Sequence, residues 1–293
     1  MYTRDVSFSF PRCWVSKRDG LWVESAWFLT AISDCRCCPG GFSSYILGKN
    51  LNSTGTGISL GVESGGHAFL LEEHLRPRLE LKLADVTYYQ LGLTTINDPR
   101  LQPFPFHPES KTFDLVLLDG HPLRTSTSPT AWMGDRLLIS QLIICLQAIS
   151  MSGTIVMKLS KPERVVTAKL LYMLDILSLS LASSWKPVFI HATRPTFYVV
   201  AKGVGYGRQG CRLPSLLFGL KALWMELTYG GAKATGRAMN SKDLDFIVSK
   251  RELKMSFRNR LQQLGQHVWL VQGESLKGWY QAEGVAGPQD SSP

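Results

Sequence analysis

Acidic and basic side chains follow several apolar segments of this chain of 293 residues, where buried strands are predicted to end. Asp119 follows the apolar run at residues 113–118, and Lys158 lies near the end of the run at residues 153–159. If these runs are neighbouring parallel strands, both side chains lie at the sheet edge where open α/β folds bind ligands. Such a carboxylate and ammonium form either a buried structural ion pair or a catalytic pair.

A Pro-Gly-Gly turn follows the apolar run at residues 28–33, within the segment DCRCCPGGFS at residues 34–43. Glycines let the backbone approach a ligand closely, because no side chain intervenes. The N–H groups that begin the next helix suit an anionic carboxylate. A Pro-Gly-Gly sequence alone is usually just a turn, but its position after a strand predicts a binding loop. The contacting residues predicted here are Asp34, Pro39, Gly40, Gly41, Phe42 and Ser43.

Two more carboxylates follow predicted strands, Glu63 after residues 56–62 and Asp85 within residues 79–86. Glu63 could accept hydrogen bonds from the ribose hydroxyls of a nucleoside. Asp85 could meet an adenine amino group. Each could equally be an ordinary surface carboxylate.

The segment HATRPTFY at residues 191–198 is predicted to form a turn between the last two strands, at the same edge. Arg194 in this turn could bind a phosphate group. The alternative is a simple hairpin turn that leaves Arg194 in solvent.

The order of the remaining elements favours an α/β fold. Apolar residues recur at helical spacing in residues 135–150 and 165–181, and strands are predicted at residues 187–191 and 197–202. This alternation of strand and helix predicts a doubly wound sheet. We therefore expect three regions: an N-terminal arm (1–27), the α/β domain (28–203), and a mainly helical C-terminal appendage (204–293) with a disordered tail.

The chain carries a formal net charge of +9, which suits a polyanionic partner such as RNA. The best helix of the appendage, at residues 241–264, has a basic face that either binds RNA or is simply solvated. No metal is expected, because the three cysteines of residues 35–38 lack paired CxxC spacing. Neither a membrane span nor a secretory signal is apparent, so we expect a cytoplasmic or nuclear protein, with a mitochondrial location also open.

Taken together, these segments resemble the FtsJ-like RNA ribose 2′-O-methyltransferases, specifically the fungal-type members. The resemblance covers residues 28–203 and is carried by DCRCCPGGFS, FDLVLLDGH, DRLLISQLIICLQAISMSGTIVMKLS and KPVFIHATRPTFYVVAKG. It implies a Rossmann-like, doubly wound mixed sheet of the class I methyltransferase type. It also implies that S-adenosylmethionine binds at the glycine loop, Glu63, Asp85 and Asp119.

The family's catalytic set is Lys-Asp-Lys-Glu, and the resemblance places its aspartate on Asp119 and its second lysine on Lys158. Thr196 stands where the family has glutamate, and with Arg194 it would lie on the substrate side. Lys17 is at a suitable distance for the first lysine, although its surroundings differ. The resemblance thus implies methylation of an RNA ribose. A catalytically weak or inactive relative that binds RNA or acts as a scaffold is the alternative, and a methyltransferase for a small molecule or protein is a third.

Overall fold

The fold is built on one mixed sheet of seven strands, in the order β3-β2-β1-β4-β5-β7-β6. The structure is a computed structural model, which describes residues 27–32, 40–106, 113–121, 133–188 and 192–283. Within these ranges, the side chains of residues 27–32 and 181–183 are not described. The strands are β1 (Trp27–Ile32), β2 (Thr54–Ser59), β3 (Leu79–Leu83), β4 (Phe113–Leu118), β5 (Ile149–Ser160), β6 (Ser178–Trp185) and β7 (Thr196–Val204).

Strand directions define a single functional edge. β7 runs antiparallel to β5 and β6, while β1 to β5 pair in parallel. The order reverses between β1 and β4, where a doubly wound sheet binds its ligands. The edge at which β1 to β5 end is called the rim below. The predicted doubly wound mixed sheet is confirmed.

Within the described ranges, six α-helices accompany the sheet. They are α1 (Gly41–Lys49), α2 (Met133–Ala148), α3 (Val165–Leu177), α4 (Leu213–Tyr229), α5 (Lys250–Ser256) and α6 (Arg258–Ala282). On one face, Val116 and Leu118 of β4 point into a large core that α2, α3 and α4 complete. On the other face, Leu115 packs against a smaller cluster that includes Leu47 of α1. Parallel strands buried on both faces explain the nearly continuous apolar runs of the sequence.

Two element predictions around β6 are wrong. The helix predicted to reach residue 181 ends at Leu177, and β6 follows at once. Its sequence, SLSLASSW, alternates polar and apolar residues, which is the period of a strand. The strand predicted at residues 187–191 is therefore misplaced: Pro187 and Val188 lie beyond β6, and residues 189–191 are outside the described ranges.

The helix predicted over residues 241–264 is interrupted. Residues 241–247 form turns, α5 starts at Lys250, and α6 starts at Arg258. The Ser249 hydroxyl accepts a hydrogen bond from the backbone N–H of Glu252 at 3.1 Å. This N-terminal cap gives α5 its own beginning instead of continuing a longer helix.

The C-terminal helices share the large core with the sheet. Trp224 of α4 is fully buried and its indole N–H donates to the Ser140 hydroxyl of α2 at 3.0 Å. Val268 of α6 belongs to the same core. The division into an arm, a domain and an appendage stays a prediction, and residues 1–26 and 284–293 lie outside the described ranges. None of the described helices has the length and apolar character needed to cross a membrane.

Candidate functional site

The structure brings Asp119 and Lys158 together at the rim. Asp119 follows β4 directly, and Lys158 lies near the end of the adjacent parallel strand β5, with Leu118 and Met157 in register. The Lys158 Nζ lies 3.1 Å from Asp119 Oδ1, and their side chains are 12% and 4% exposed. A nearly buried ion pair at a ligand-binding edge is suited to chemistry, because surrounding water screens it little.

A third residue, Tyr198, contacts this ion pair. The sequence did not indicate that contact. Tyr198 is the register partner of Lys158 across the antiparallel β5–β7 pairing. Its hydroxyl donates a hydrogen bond to Asp119 Oδ1 at 2.9 Å. One carboxylate oxygen thus forms an ion pair with Lys158 and accepts a hydrogen bond from the Tyr198 hydroxyl. Asp119, Lys158 and Tyr198 are called the rim cluster below.

Two further aromatic rings flank Tyr198. The Phe42 ring meets it edge to face, with centroids 5.7 Å apart, and the Trp185 ring lies 6.3 Å from it. Phe42 belongs to the first turn of α1, and Trp185 ends β6. The predicted binding loop and the rim cluster are therefore in direct contact.

The start of α1 has the backbone expected of a binding loop. Gly40 has φ +121°, a conformation that side-chain-bearing residues rarely adopt, and a β-carbon there would lie 3.3 Å from the Leu71 nitrogen. Gly41 faces open space, because a β-carbon at this position would have no neighbouring atom within 4 Å among the described residues. The N-cap residue, Gly40, supplies no capping side chain to the first-turn N–H groups. The predicted contacts Asp34 and Pro39 lie outside the described residues.

A small cavity adjoins this helix start. It has a volume of about 150 Å³, and both Ser43 of α1 and Glu63 line it, with apolar residues of β2 and β3. The Ser43 hydroxyl is buried and has no hydrogen-bond partner among the described residues. A typical ligand pocket is about 300–1,000 Å³, so the cavity that the described residues enclose is smaller than a nucleoside would need.

The carboxylate of Glu63 lies close to the backbone that follows β2. A β-carbon at Gly61 would collide with it, so glycine at this position leaves room for the acid. Glu63 is exposed, in a short 3₁₀ turn just beyond the strand. Its carboxylate is therefore accessible to hydroxyl donors at the rim.

Asp85 has a more local role in the structure. Its Oδ1 accepts hydrogen bonds from the backbone N–H and the hydroxyl of Thr87, both at 2.8 Å. These bonds cap a short 3₁₀ turn after β3. The residues that line the cavity do not include Asp85, and its contact with an adenine group stays a prediction.

Arg194 and Thr196 lie at the rim, beside the end of β5. Thr196 is the register partner of Ser160, and the Arg194 side chain is exposed. Behind them lies Lys186, which is fully buried and donates to the carbonyl groups of both residues. Burial lowers the pKa of the Lys186 ammonium group to about 8. The sequence analysis missed Lys186, because no pattern in the sequence indicates that a lysine following β6 is buried.

The residues present fit S-adenosylmethionine. The backbone N–H groups of the first turn of α1 suit its carboxylate, and the Glu63 carboxylate suits its ribose hydroxyls. The Ser43 hydroxyl, which has no partner within the described part of the chain, offers one more polar contact inside the cavity. Within the described ranges, no three His, Cys, Asp or Glu side chains are grouped to hold a metal ion.

Comparisons with solved structures give weak likenesses. A TehB-like methyltransferase of Corynebacterium glutamicum is 16% identical, with 61% of this chain and 80% of that chain covered and a TM-score of 0.33. A Plasmodium falciparum protein described as a ribosomal RNA methyltransferase is 15% identical, over 62% and 88% of the two chains, with a TM-score of 0.37. Human methyltransferase-like protein 13 is 10% identical, over 69% and 82%, with a TM-score of 0.36.

With TM-scores of this size, these likenesses establish neither fold nor substrate. No curated protein sequence matches the chain significantly. A family comparison is more decisive, because the model of the FtsJ-like methyltransferases matches residues 16–204, more than half of the chain. The chain therefore belongs to the FtsJ-like methyltransferase family, whose cofactor is S-adenosylmethionine.

Proposed function

We propose that this methyltransferase modifies the 2′-hydroxyl group of an RNA ribose. The observation that carries the proposal is the Lys158–Asp119 pair, 3.1 Å apart and nearly buried at the rim. A ribose hydroxyl is a poor nucleophile unless its developing negative charge is stabilised or its proton removed. The pair supplies a cation for that purpose beside the predicted cofactor loop.

The residues of the rim cluster divide this work between them. When bound, S-adenosylmethionine supplies a methyl group on a positively charged sulfur. Lys158, paired with Asp119, would donate a hydrogen bond to the hydroxyl oxygen and stabilise its developing charge. The oxygen would gain the bond to the methyl carbon as the carbon–sulfur bond breaks and leaves a neutral thioether, and the hydroxyl proton would pass to solvent. Asp119 and Tyr198 keep the ammonium group in place, so that it costs no reorganisation during the reaction.

The alternative is a weak or inactive relative that binds RNA or acts as a scaffold. Thr196 favours it, because a threonine at the start of β7 cannot supply the carboxylate implied by the resemblance. Loss of one such electrostatic group typically costs about 10²–10³ in rate. The Tyr198 hydroxyl, which orients Asp119, argues for retained activity.

RNA as the substrate is supported by charge. The chain has a net charge of +9, and α5 displays exposed cations on its surface: Lys250, Arg251 and Lys254. α5 packs against α3, and the nearby Arg260 contacts Asp175 towards the end of α3 remote from the rim. Contact of α5 with RNA therefore requires a substrate that extends well beyond the reacting nucleotide.

The proposal is tested by measuring cofactor binding and methyl transfer separately. Calorimetry with S-adenosylmethionine should show binding by both the wild type and Lys158→Met. Transfer of a labelled methyl group to total RNA should occur with the wild type and be lost in the variant. Binding without transfer by the wild type would favour the inactive relative. Transfer to protein or a small molecule, but not to RNA, would contradict the proposed substrate.

A further inference from the structure

Three consecutive carbonyl groups at the start of β7 are each held by a donor. The Lys186 ammonium group donates to the carbonyls of Arg194 and Thr196, the latter at 2.9 Å. The backbone N–H of Lys161 donates to the carbonyl of Pro195 at 3.0 Å. Lys161 follows β5, Lys186 follows β6, and β7 lies between these two strands, so residues 194–196 are held from both sides.

Burial of Lys186 is energetically unfavourable if its side chain only fills space. It is 0% exposed, and burying an ammonium group is unfavourable unless hydrogen bonds compensate for the lost water. An apolar side chain of similar length would fill the same space without this cost. The bonds to Arg194 and Thr196 therefore indicate that the lysine serves to fix the backbone of this bend.

The opposite side of the bend is held by an unusual backbone. Lys161 follows β5 directly and has φ +53°, a left-handed conformation that is uncommon for a residue with a side chain. Its carbonyl accepts from the N–H of Arg164 at 3.0 Å while its N–H holds Pro195. The end of the strand that carries Lys158 is thus tied to the bend.

The side chain displayed by this fixed bend is that of Arg194, which is exposed. The planar guanidinium group of arginine matches the geometry of a phosphate. We propose that Lys186 is a positioning residue, which fixes the bend so that Arg194 binds a backbone phosphate of the RNA next to the reacting ribose. This inference rests on the proposed function for its ligand, but not for its geometry.

Steady-state kinetics with RNA tests the inference through three variants. Arg194→Ala should raise KM for RNA roughly tenfold, the effect of losing one charge-assisted contact, with kcat nearly unchanged. Lys186→Met should raise KM about threefold to tenfold, again with little change in kcat. The double variant should match Arg194→Ala within about twofold, because Lys186 acts through Arg194. Effects that multiply would overturn the inference.

The matched control is Lys169→Met. Lys169 is also 0% exposed, and it too donates to a carbonyl, that of Ser241 at 2.9 Å, and contacts Asp245. It holds a C-terminal turn instead of the rim bend. Lys169→Met should lower the melting temperature and leave KM for RNA unchanged. If both variants change KM equally, the effect of Lys186 is general destabilisation and the inference is wrong.

Hydrogen–deuterium exchange gives a readout that requires no RNA. Peptides that cover residues 192–200 should exchange faster in Lys186→Met than in Lys169→Met or the wild type. If Lys186→Met does not fold, Lys186→Gln keeps a donor and should give an intermediate exchange rate. Unchanged exchange would overturn the positioning role. Faster exchange in a protein that neither binds nor methylates RNA would refute the proposed function while supporting the positioning role.

Discussion

Replacement of Tyr198 by phenylalanine removes one hydroxyl group from the rim cluster and little else. The ring contacts with Phe42 and Trp185, at 5.7 Å and 6.3 Å, can persist in the variant. What disappears is the 2.9 Å hydrogen bond to Asp119 Oδ1. Lys158 still lies 3.1 Å from the same oxygen.

The magnitude follows from the charge on the acceptor. A hydrogen bond to a charged group contributes about 1.5–3 kcal/mol. Because Lys158 still holds the same oxygen, we expect the lower end of this range. About 1.5 kcal/mol corresponds to a roughly tenfold fall in kcat. The dissociation constant for S-adenosylmethionine should change less than about twofold, because the ring of Tyr198 keeps its contact with Phe42 of the predicted binding loop.

The assay is single-turnover methyl transfer to RNA, with cofactor binding measured on the same preparations. Tyr229→Phe is a matched control, because its hydroxyl also donates to a carboxylate, Asp98, at 2.8 Å but outside the rim cluster. The control should keep its transfer rate. If Tyr198→Phe transfers methyl groups at the wild-type rate, the hydroxyl does not position Asp119, and the reasoning from this hydrogen bond fails.

Three further predictions concern cofactor binding, catalysis and pH. Lys158→Ala should abolish methyl transfer while calorimetry shows nearly unchanged S-adenosylmethionine binding; a variant that retains wild-type transfer would contradict the catalytic assignment. Gly40→Ala should weaken cofactor binding in the same measurement, because φ +121° is strained for alanine; unchanged affinity would show that this backbone conformation is not required. Lys186 has a lowered folded-state pKa of about 8, against an ordinary value of 10.5, so its folded state binds fewer protons than its unfolded state between these values. The melting temperature of the wild type relative to Lys186→Met should therefore rise from pH 8 to pH 10, and a constant difference would be evidence against the shift.

Much of the sheet could be predicted from the sequence, because its strands are apolar runs with clear ends. The run at residues 113–118 coincides with β4, and Asp119 follows it as expected. Placement of Lys158 beside Asp119 needed only that β4 and β5 be parallel neighbours, which the fold class implies. The charged pair was therefore accessible to reasoning from strand ends alone.

The rest of the site depends on register and burial, which one sequence does not encode locally. Tyr198 reaches Asp119 because β7 runs antiparallel to β5 in one particular register. A shift by one residue would point its side chain to the opposite face of the sheet. β6 was hidden because Leu179 and Leu181 also continue the helical period of α3.

The measurement that tests the central claim most directly is the identity of the methylated atom. RNA incubated with the wild-type protein and S-adenosylmethionine would be digested to nucleosides and analysed by mass spectrometry, with Lys158→Met as the control. The account predicts methyl groups on ribose in the wild-type reaction and none in the control. Methyl groups on the bases, or ribose methylation that persists in Lys158→Met, would contradict it.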